Sequence, residues 1–292
     1  MNQAATKQRI GFIGLGIMGS NMAGHILAAG YPVNVYNRSP EKGKALVAKG
    51  AKWFDTPGAL AAESDVIITM VGFPSDVEQV YLHAGNILDN AKNAYLIDMT
   101  TSSPSLAVKI AQEAKKRGCH SIDAPVSGGD IGARDAKLSI MVGADQADFD
   151  AVLPILQLMG ANIVLQGGPG AGQHTKMCNQ IVIAGTIMGV SEGLAYAKKC
   201  GLHPETVLKS IGGGAASGFQ LNILGAKMIQ DDFEPGFFVE HFIKDLSIAL
   251  EEANALNLDL PSVTLAKQLY TKLVAKGYGR KGTQVVYKNY IP

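Results

Sequence analysis

What this 292-residue chain lacks narrows its function before any motif is read. It has almost no net charge, with 26 Lys and Arg against 25 Asp and Glu. A balance that even gives no electrostatic case for a nucleic-acid partner or a membrane surface. Cysteine is scarce: Cys119, Cys178 and Cys200 are odd in number and widely spaced. They make no CxxC pair and no disulfide framework, which suits a reducing cytoplasm. No group of His, Cys, Asp and Glu has metal-ligand spacing, so no metal is expected. The opening MNQAATKQR is short and polar, without the apolar run of a signal peptide. There is no internal repeat and no low-complexity tract.

One long apolar run is present, from Met177 to Ala197, about a bilayer long by helical rise. Gly185, Gly189 and Gly193 recur in it at four-residue spacing, as in membrane helix pairs. Asn179, Gln180, Thr186, Ser191 and Glu192 interrupt it, and no second segment resembles it. We expect a soluble helix, buried all round, with a glycine groove packed on another helix.

Strand and helix signals alternate from Arg9 to about Gly143. RIGFIGLGIMGSNMAGHILAAG reads as strand, glycine turn and helix, with Gly30 as a C-terminal cap. PVNVY, DVIITMV, AYLIDM, HSIDAPV and LSIMVG read as further strands, with helical stretches such as PSLAVKIAQEAKKRG between several of them. The alternation predicts an α/β, doubly wound, mostly parallel sheet of Rossmann type. Beyond ANIVLQGGPGAG the pattern is helical, with helix starts at His203-Pro204-Glu205 and Leu260-Pro261-Ser262. The expected division is a dinucleotide-binding domain over 1–168 and an all-helical domain over 169–292, joined by a long helix.

The glycine turn is GxGxxG, and it follows a strand and opens a helix. Gly14 permits the tight turn, Gly16 lets the backbone approach a pyrophosphate, and Gly19 lets helix and strand pack closely. The free N–H groups of the helix start then face the phosphates. The turn residues Gly14, Leu15, Gly16, Ile17, Met18 and Gly19 are the expected cofactor cradle. After the second strand an NAD binder keeps an acidic residue, whereas this chain has Asn37-Arg38-Ser39. No carboxylate is expected there to repel a 2′-phosphate. Arg38 can pair with one, and Asn37 and Ser39 can donate to it. NADP is the preferred cofactor on this reading, with NAD possible.

GFIGLGIMGSNMA, DAPVSGGDIGA, GPGAGQHTKMCNQ and KDLSIAL stand in this order along the chain. By these blocks the sequence resembles the β-hydroxyacid dehydrogenase family, nearly from end to end. The resemblance implies an N-terminal Rossmann-type domain, a helical C-terminal domain and a homodimer or homotetramer. It implies Lys176 as the catalytic lysine with Asn179 as its partner, and Ser127, Gly128 and Gly129 as the substrate-binding segment. Val71, Thr101 and Lys244 become cofactor-side residues. Where relatives commonly have glycine, in GAxxGxL, this chain has Ala136. That position is expected to shape a turn into the next strand.

The chemistry suits those residue types. Lys176 and Asn179 are three apart, so on a helix they share a face. A helix starting near Gly172 would set both by its positive end, and that field with partial burial favours the neutral amine. Such a lysine can take a proton from a hydroxyl as hydride leaves carbon, and return it in reduction. Asn179 offers both a donor and an acceptor. Successive glycines after Ser127 bare backbone N–H groups to an anion such as a small carboxylate. His174, His120, His241 and Cys178 are read as capping or packing residues.

The expected function is an NAD(P)-dependent oxidoreductase that interconverts a short 3-hydroxy acid and its semialdehyde, of 3-hydroxyisobutyrate or tartronate/glycerate type. Rivals on the same scaffold are a glyoxylate/succinic semialdehyde reductase and an imine reductase, the latter expected to replace the lysine. A dinucleotide-sensing interaction module is the rival outside enzymes. The partners are then a small carboxylate-bearing substrate and copies of the chain, with no nucleic acid and no membrane.

Overall fold

The computed structural model describes residues 7–291. The opening residues 1–6, part of the polar stretch read as no signal peptide, and Pro292 lie outside them. The chain forms two compact units, Met1–Lys176 and Met177–Pro292. The division therefore falls inside a helix, beyond the expected boundary at 168/169.

The first unit runs β1 (Ile10–Ile13), α1 (Ile17–Ala28), β2 (Val33–Tyr36), α2 (Lys44–Val47), β3 (Lys52–Trp53), α3 (Pro57–Ala62), β4 (Val66–Thr69), α4 (Pro74–Leu82) and α5 (Ile87–Asn90). It continues with β5 (Tyr95–Asp98), α6 (Pro104–Lys116), β6 (His120–Asp123), β7 (Val126–Ser127), α7 (Gly129–Arg134), β8 (Leu138–Gly143), α8 (Gln146–Leu156) and β9 (Gly160–Gly167). The sheet order is β3-β2-β1-β4-β5-β6-β8-β7, with β9 on β8. The six strands from β3 to β6 are parallel, while β8 runs antiparallel to β6 and β7 and parallel to β9.

The apolar strand runs follow from that architecture. Alternate side chains of a strand point to opposite faces, and in a doubly wound sheet both faces are covered. Accordingly Ile10, Phe12, Val66, Ile68 and Ile97 join one core with α1 residues Met22 and Ile26. Ile13, Ile67 and Leu96 join a second core with Leu60, Tyr81 and Ile110. HSIDAPV is two strands, broken at Ala124-Pro125, because β6 pairs with β5 while β7 pairs with β8. Two strands were not expected: β3 has two residues, and β9 carries the partly exposed face of an outer strand.

Ala136 adopts φ +53. The left-handed backbone explains why glycine suits that place, and alanine holds it with strain.

A helix of 29 residues, α9 (Ala171–Lys199), begins in the first unit. The second unit adds α10 (Pro204–Ile211), α11 (Ala226–Ile229), α12 (Val239–Ala255) and α13 (Pro261–Ala275), with a π-helical segment Gln220–Gly225 and a 3-10 segment Thr283–Asn289. Its core gathers Ala184, Ile187 and Leu194 of α9 with Phe242, Leu246, Val263 and Tyr270. Phe242 meets Tyr270 edge to face at 5.1 Å, and the Tyr270 hydroxyl donates to Thr283 O at 2.7 Å. Such a ring pair adds about 0.5–1.5 kcal/mol beyond its area.

By length and composition α9 could cross a membrane, but 44% of its most apolar window is already buried within the protein. It is not buried all round, as was expected. Val182 and Tyr196 are exposed, and among the described residues none comes within 4 Å of where a Cβ on Gly185, Gly189 or Gly193 would stand. The glycine stripe borders an open groove of about 250 Å³ with Ile211 and Leu221.

Candidate active site

The turn between β1 and α1 fits a dinucleotide pyrophosphate. Gly14 sits at φ +98, and a Cβ there would meet the Met70 carbonyl. A Cβ on Gly19 would meet the Gly14 carbonyl, so helix and strand can close only on glycine. Gly16 has open space where its Cβ would stand. No side chain caps α1, which leaves its first N–H groups for an anion.

The residues after β2 divide their work differently from the expectation. Asn37 Oδ1 accepts from Leu15 N at 2.8 Å, and its Nδ2 donates to Ser39 O at 3.0 Å. The asparagine amide thus ties the glycine turn to the Ser39 backbone, and the 2′-phosphate reading rests on Arg38 and the Ser39 hydroxyl. A carboxylate does stand there, against expectation. Asp76, distant in sequence, lies 3.6 Å from the Arg38 guanidinium and also accepts from Phe73 N.

Buried carboxylates stand at the C-terminal ends of β5 and β6, paired in register as Asp98 and Asp123. Asp98 accepts from the Thr69 hydroxyl at 2.8 Å and from Thr100 N at 3.1 Å. Thr100 in turn accepts from Val71 N at 3.0 Å; the Thr100 and Ser102 hydroxyls of this loop are buried, and the expected Thr101 between them is half-buried. Asp123 accepts from Gly170 N at 2.7 Å and Gln173 N at 2.8 Å, capping α9. Gly143 and Gly172 leave the space its carboxylate fills. Burial pushes both carboxyls up to about 6, against the hydrogen bonds that favour their charged forms. Asp123 also sets a negative group at the helix end whose positive field was invoked for Lys176. HSIDAPV reads in sequence as a strand, and nothing in its spacing marks Asp123 as a helix cap.

Lys176 is 7% exposed, and its Nζ donates to Val126 O at 2.8 Å. Val126 immediately precedes Ser127, Gly128 and Gly129, and Gly128 has φ +127. The structure thus brings the lysine and the glycine loop together within the first unit. In the second unit Asn179 Nδ2 donates to Gln180 Oε1 at 2.7 Å. Lys244 Nζ lies 3.0 Å from Asp245 Oδ1. Gln180 and Asp245 were not expected, yet each holds an expected site residue.

The histidines stand aside. His174 is exposed on α9, and His120 pairs with Asp148 at 2.7 Å while stacking on Tyr95. His241 is half-buried, and burial with the nearby Lys244 pulls its imidazole below the ordinary range. Cys178 is exposed. Among the described residues no three or more His, Cys, Asp or Glu side chains gather as a metal site.

The chain is similar to known proteins over nearly its whole length. Residues 9–168 match the NAD binding domain of 6-phosphogluconate dehydrogenase, and residues 170–290 match the NAD-binding family of NADP-dependent 3-hydroxyisobutyrate dehydrogenase. An uncharacterized oxidoreductase of Bacillus subtilis is 57% identical over 98% of this chain and 99% of its own length. The 2-hydroxy-3-oxopropionate reductase of Escherichia coli is 40% identical over 92% of each chain. The structure of Mycobacterium tuberculosis 3-hydroxyisobutyrate dehydrogenase with L-serine superposes with a TM-score of 0.89, at 29% identity over 97% of this chain and 99% of that one. On these matches, which run nearly end to end, the chain belongs to the β-hydroxyacid dehydrogenase family and is an NAD(P)-dependent oxidoreductase.

Proposed function

We propose that the protein interconverts a short 3-hydroxy acid, of 3-hydroxyisobutyrate or tartronate/glycerate type, with its semialdehyde, and prefers NADP(H). The observation that carries this reading is the bond from Lys176 Nζ to Val126 O. It joins a buried amine to the loop whose bare backbone suits a carboxylate. Ser127, Gly128 and Gly129 hold the carboxylate end of the substrate, and Lys176 meets the reacting oxygen. A bound nicotinamide supplies or accepts the hydride. In reduction the Lys176 ammonium gives a proton to the carbonyl oxygen as hydride reaches carbon, and it regains one from solvent. In oxidation the neutral amine takes the hydroxyl proton. Asn179, on the same face of α9, holds the oxygen or the amine in line.

Steady NADPH consumption with a short aldehyde acid, against its neutral amide or methyl analogue, tests the reading. The acid should be favoured by about tenfold or more, or about 1.4 kcal/mol. Lys176→Ala should lose at least about 100-fold in kcat, with little change in NADPH affinity. Equal use of the neutral analogue, or a Lys176→Ala variant with most of its turnover, removes the proposal.

The reading extends to a homodimer or homotetramer in the cytoplasm. Exposed Val182 and Tyr196 beside the uncovered glycine stripe of α9 support self-association. Light scattering at micromolar concentration should give two or four chain masses, and a monomer mass removes this part.

A further inference from the structure

Gln173 is 0% exposed, and it has no part in the function proposed above. Its polar atoms are nonetheless all engaged. Its backbone N donates to Asp123 Oδ2 at 2.8 Å. Its side-chain Nε2 donates to Thr100 O at 2.7 Å, and its Oε1 accepts from Ser102 N at 2.9 Å. The amide therefore grips the loop after β5 on both sides of Thr101. One helical turn along α9, on the same face, Lys176 holds Val126 O. The first turns of α9 are tied to the Thr101 loop by Gln173 and to the Ser127 loop by Lys176.

A methionine has similar length and would fill the same space without desolvating an amide. The amide is recovered only when both its bonds form, and the pair forms in one register of helix against loop. Packing alone would hold α9 here, but it would not select that register. Asp123 adds a second constraint on the same helix end, since its carboxylate spans Gly170 N and Gln173 N.

We infer that Gln173 is a positioning residue for the reaction, setting the Thr101 loop and Lys176 in one fixed relation through its two amide bonds. The inference rests on the reading that Lys176 moves the proton and that Thr101 lies on the cofactor side. Gln173 itself touches neither substrate nor cofactor.

The test compares Gln173→Met, which fills the space without the bonds, and Gln173→Glu, which keeps an acceptor for Ser102 N and loses the donor to Thr100 O. Each is assayed on the full chain with NADPH and a short aldehyde acid, beside Lys176→Ala. Both variants should lose about tenfold or more in kcat, with both KM values within about threefold of the parent. The deuterium isotope effect with 4-deuterated NADPH should rise toward its intrinsic size as hydride transfer becomes limiting. A folded variant with parental kcat and isotope effect overturns the inference. So does loss of folding in both, which makes the residue a structural prop. If Lys176→Ala keeps its turnover, the functional reading fails. If Lys176→Ala loses turnover and Gln173→Met does not, the inference alone fails.

Discussion

Gln180 donates its side-chain amide to the Asp245 carboxylate at 2.6 Å, and each residue is 1% exposed. A carboxylate only accepts, so this bond fixes which side of the Gln180 amide faces Asp245. Its oxygen is then turned to Asn179, which must donate to it. The other Asp245 oxygen lies 3.0 Å from Lys244 Nζ. One buried carboxylate therefore orients Asn179 through Gln180 and forms an ion pair with Lys244.

Gln180→Met should cut the link to Asn179 and leave the pair of Lys244 with Asp245. We expect kcat to fall about tenfold with the KM for NADPH unchanged, and stability to drop by about 1–3 kcal/mol. Asp245→Asn should also raise the KM for NADPH. Steady-state kinetics with urea melts would check both, and a Gln180→Met variant with parental kcat would refute the orienting role.

The proposed preference for NADP(H) is tested at Arg38. Its side chain is 85% exposed, with Asp76 3.6 Å away. Arg38→Ala should weaken NADPH by roughly 1.5–3 kcal/mol, mostly through KM, and leave NADH nearly unchanged. Asp76→Asn keeps an acceptor for Phe73 N and removes the negative charge, so it should lower the KM for NADPH alone. Each effect should shrink as salt rises. Equal kcat/KM for the two cofactors in the parent would contradict the assignment.

Ala136→Gly should stabilise the protein by about 1 kcal/mol, because glycine takes φ +53 without the Cβ clash. The gain is offset in part by the added freedom of glycine in the unfolded chain. Chemical denaturation should show a higher midpoint with the same slope and unaltered turnover.

Asp98 makes stability depend on pH. Its carboxyl is raised from 3.8 to about 6 by burial, so the native state binds its proton more tightly than the unfolded chain. Its stabilising contribution is full below the unfolded value and is lost as pH rises through about 6. Above that, the buried charge costs up to roughly 3 kcal/mol. Asp98→Asn can still accept from Thr69 and Thr100, with no charge. It should be more stable than the parent at neutral pH, and the two should converge in acid. Parallel pH–stability curves would rule out Asp98 as the source.

The features legible in the sequence were those with a local signature. GxGxxG was legible because the spacing of its glycines between a strand and a helix is itself the local signature, even though Gly14 answers to the distant Met70 carbonyl and Gly19 to Gly14. β1, β4 and β5 were plain as apolar runs, since burial on both faces removes polar alternation. The two-residue β3 and the half-exposed β9 carry too little apolar pattern to register. Asp123, Gln173, Gln180 and Asp245 were missed for a different reason. A buried polar residue leaves no periodicity, and its partner lies 47 to 73 residues away. The open glycine stripe of α9 shows the converse, for spacing reveals a smooth helix face and not what covers it. Asp76 reached Arg38 only through the packing of α4 beside β2's end.

Several glycines of this fold, Gly14, Gly19 and Gly172 among them, stand where a Cβ would strike a backbone carbonyl. Every missense change at the first or second base of a glycine codon yields a residue that has a Cβ. At these positions no single-nucleotide substitution offers a conservative replacement, not even alanine. The gene's least forgiving codons should therefore include these glycine codons, although a glycine has no side chain to take part in the reaction, and a saturation screen for growth or activity would find them as blank columns beside tolerant hydrophobic ones.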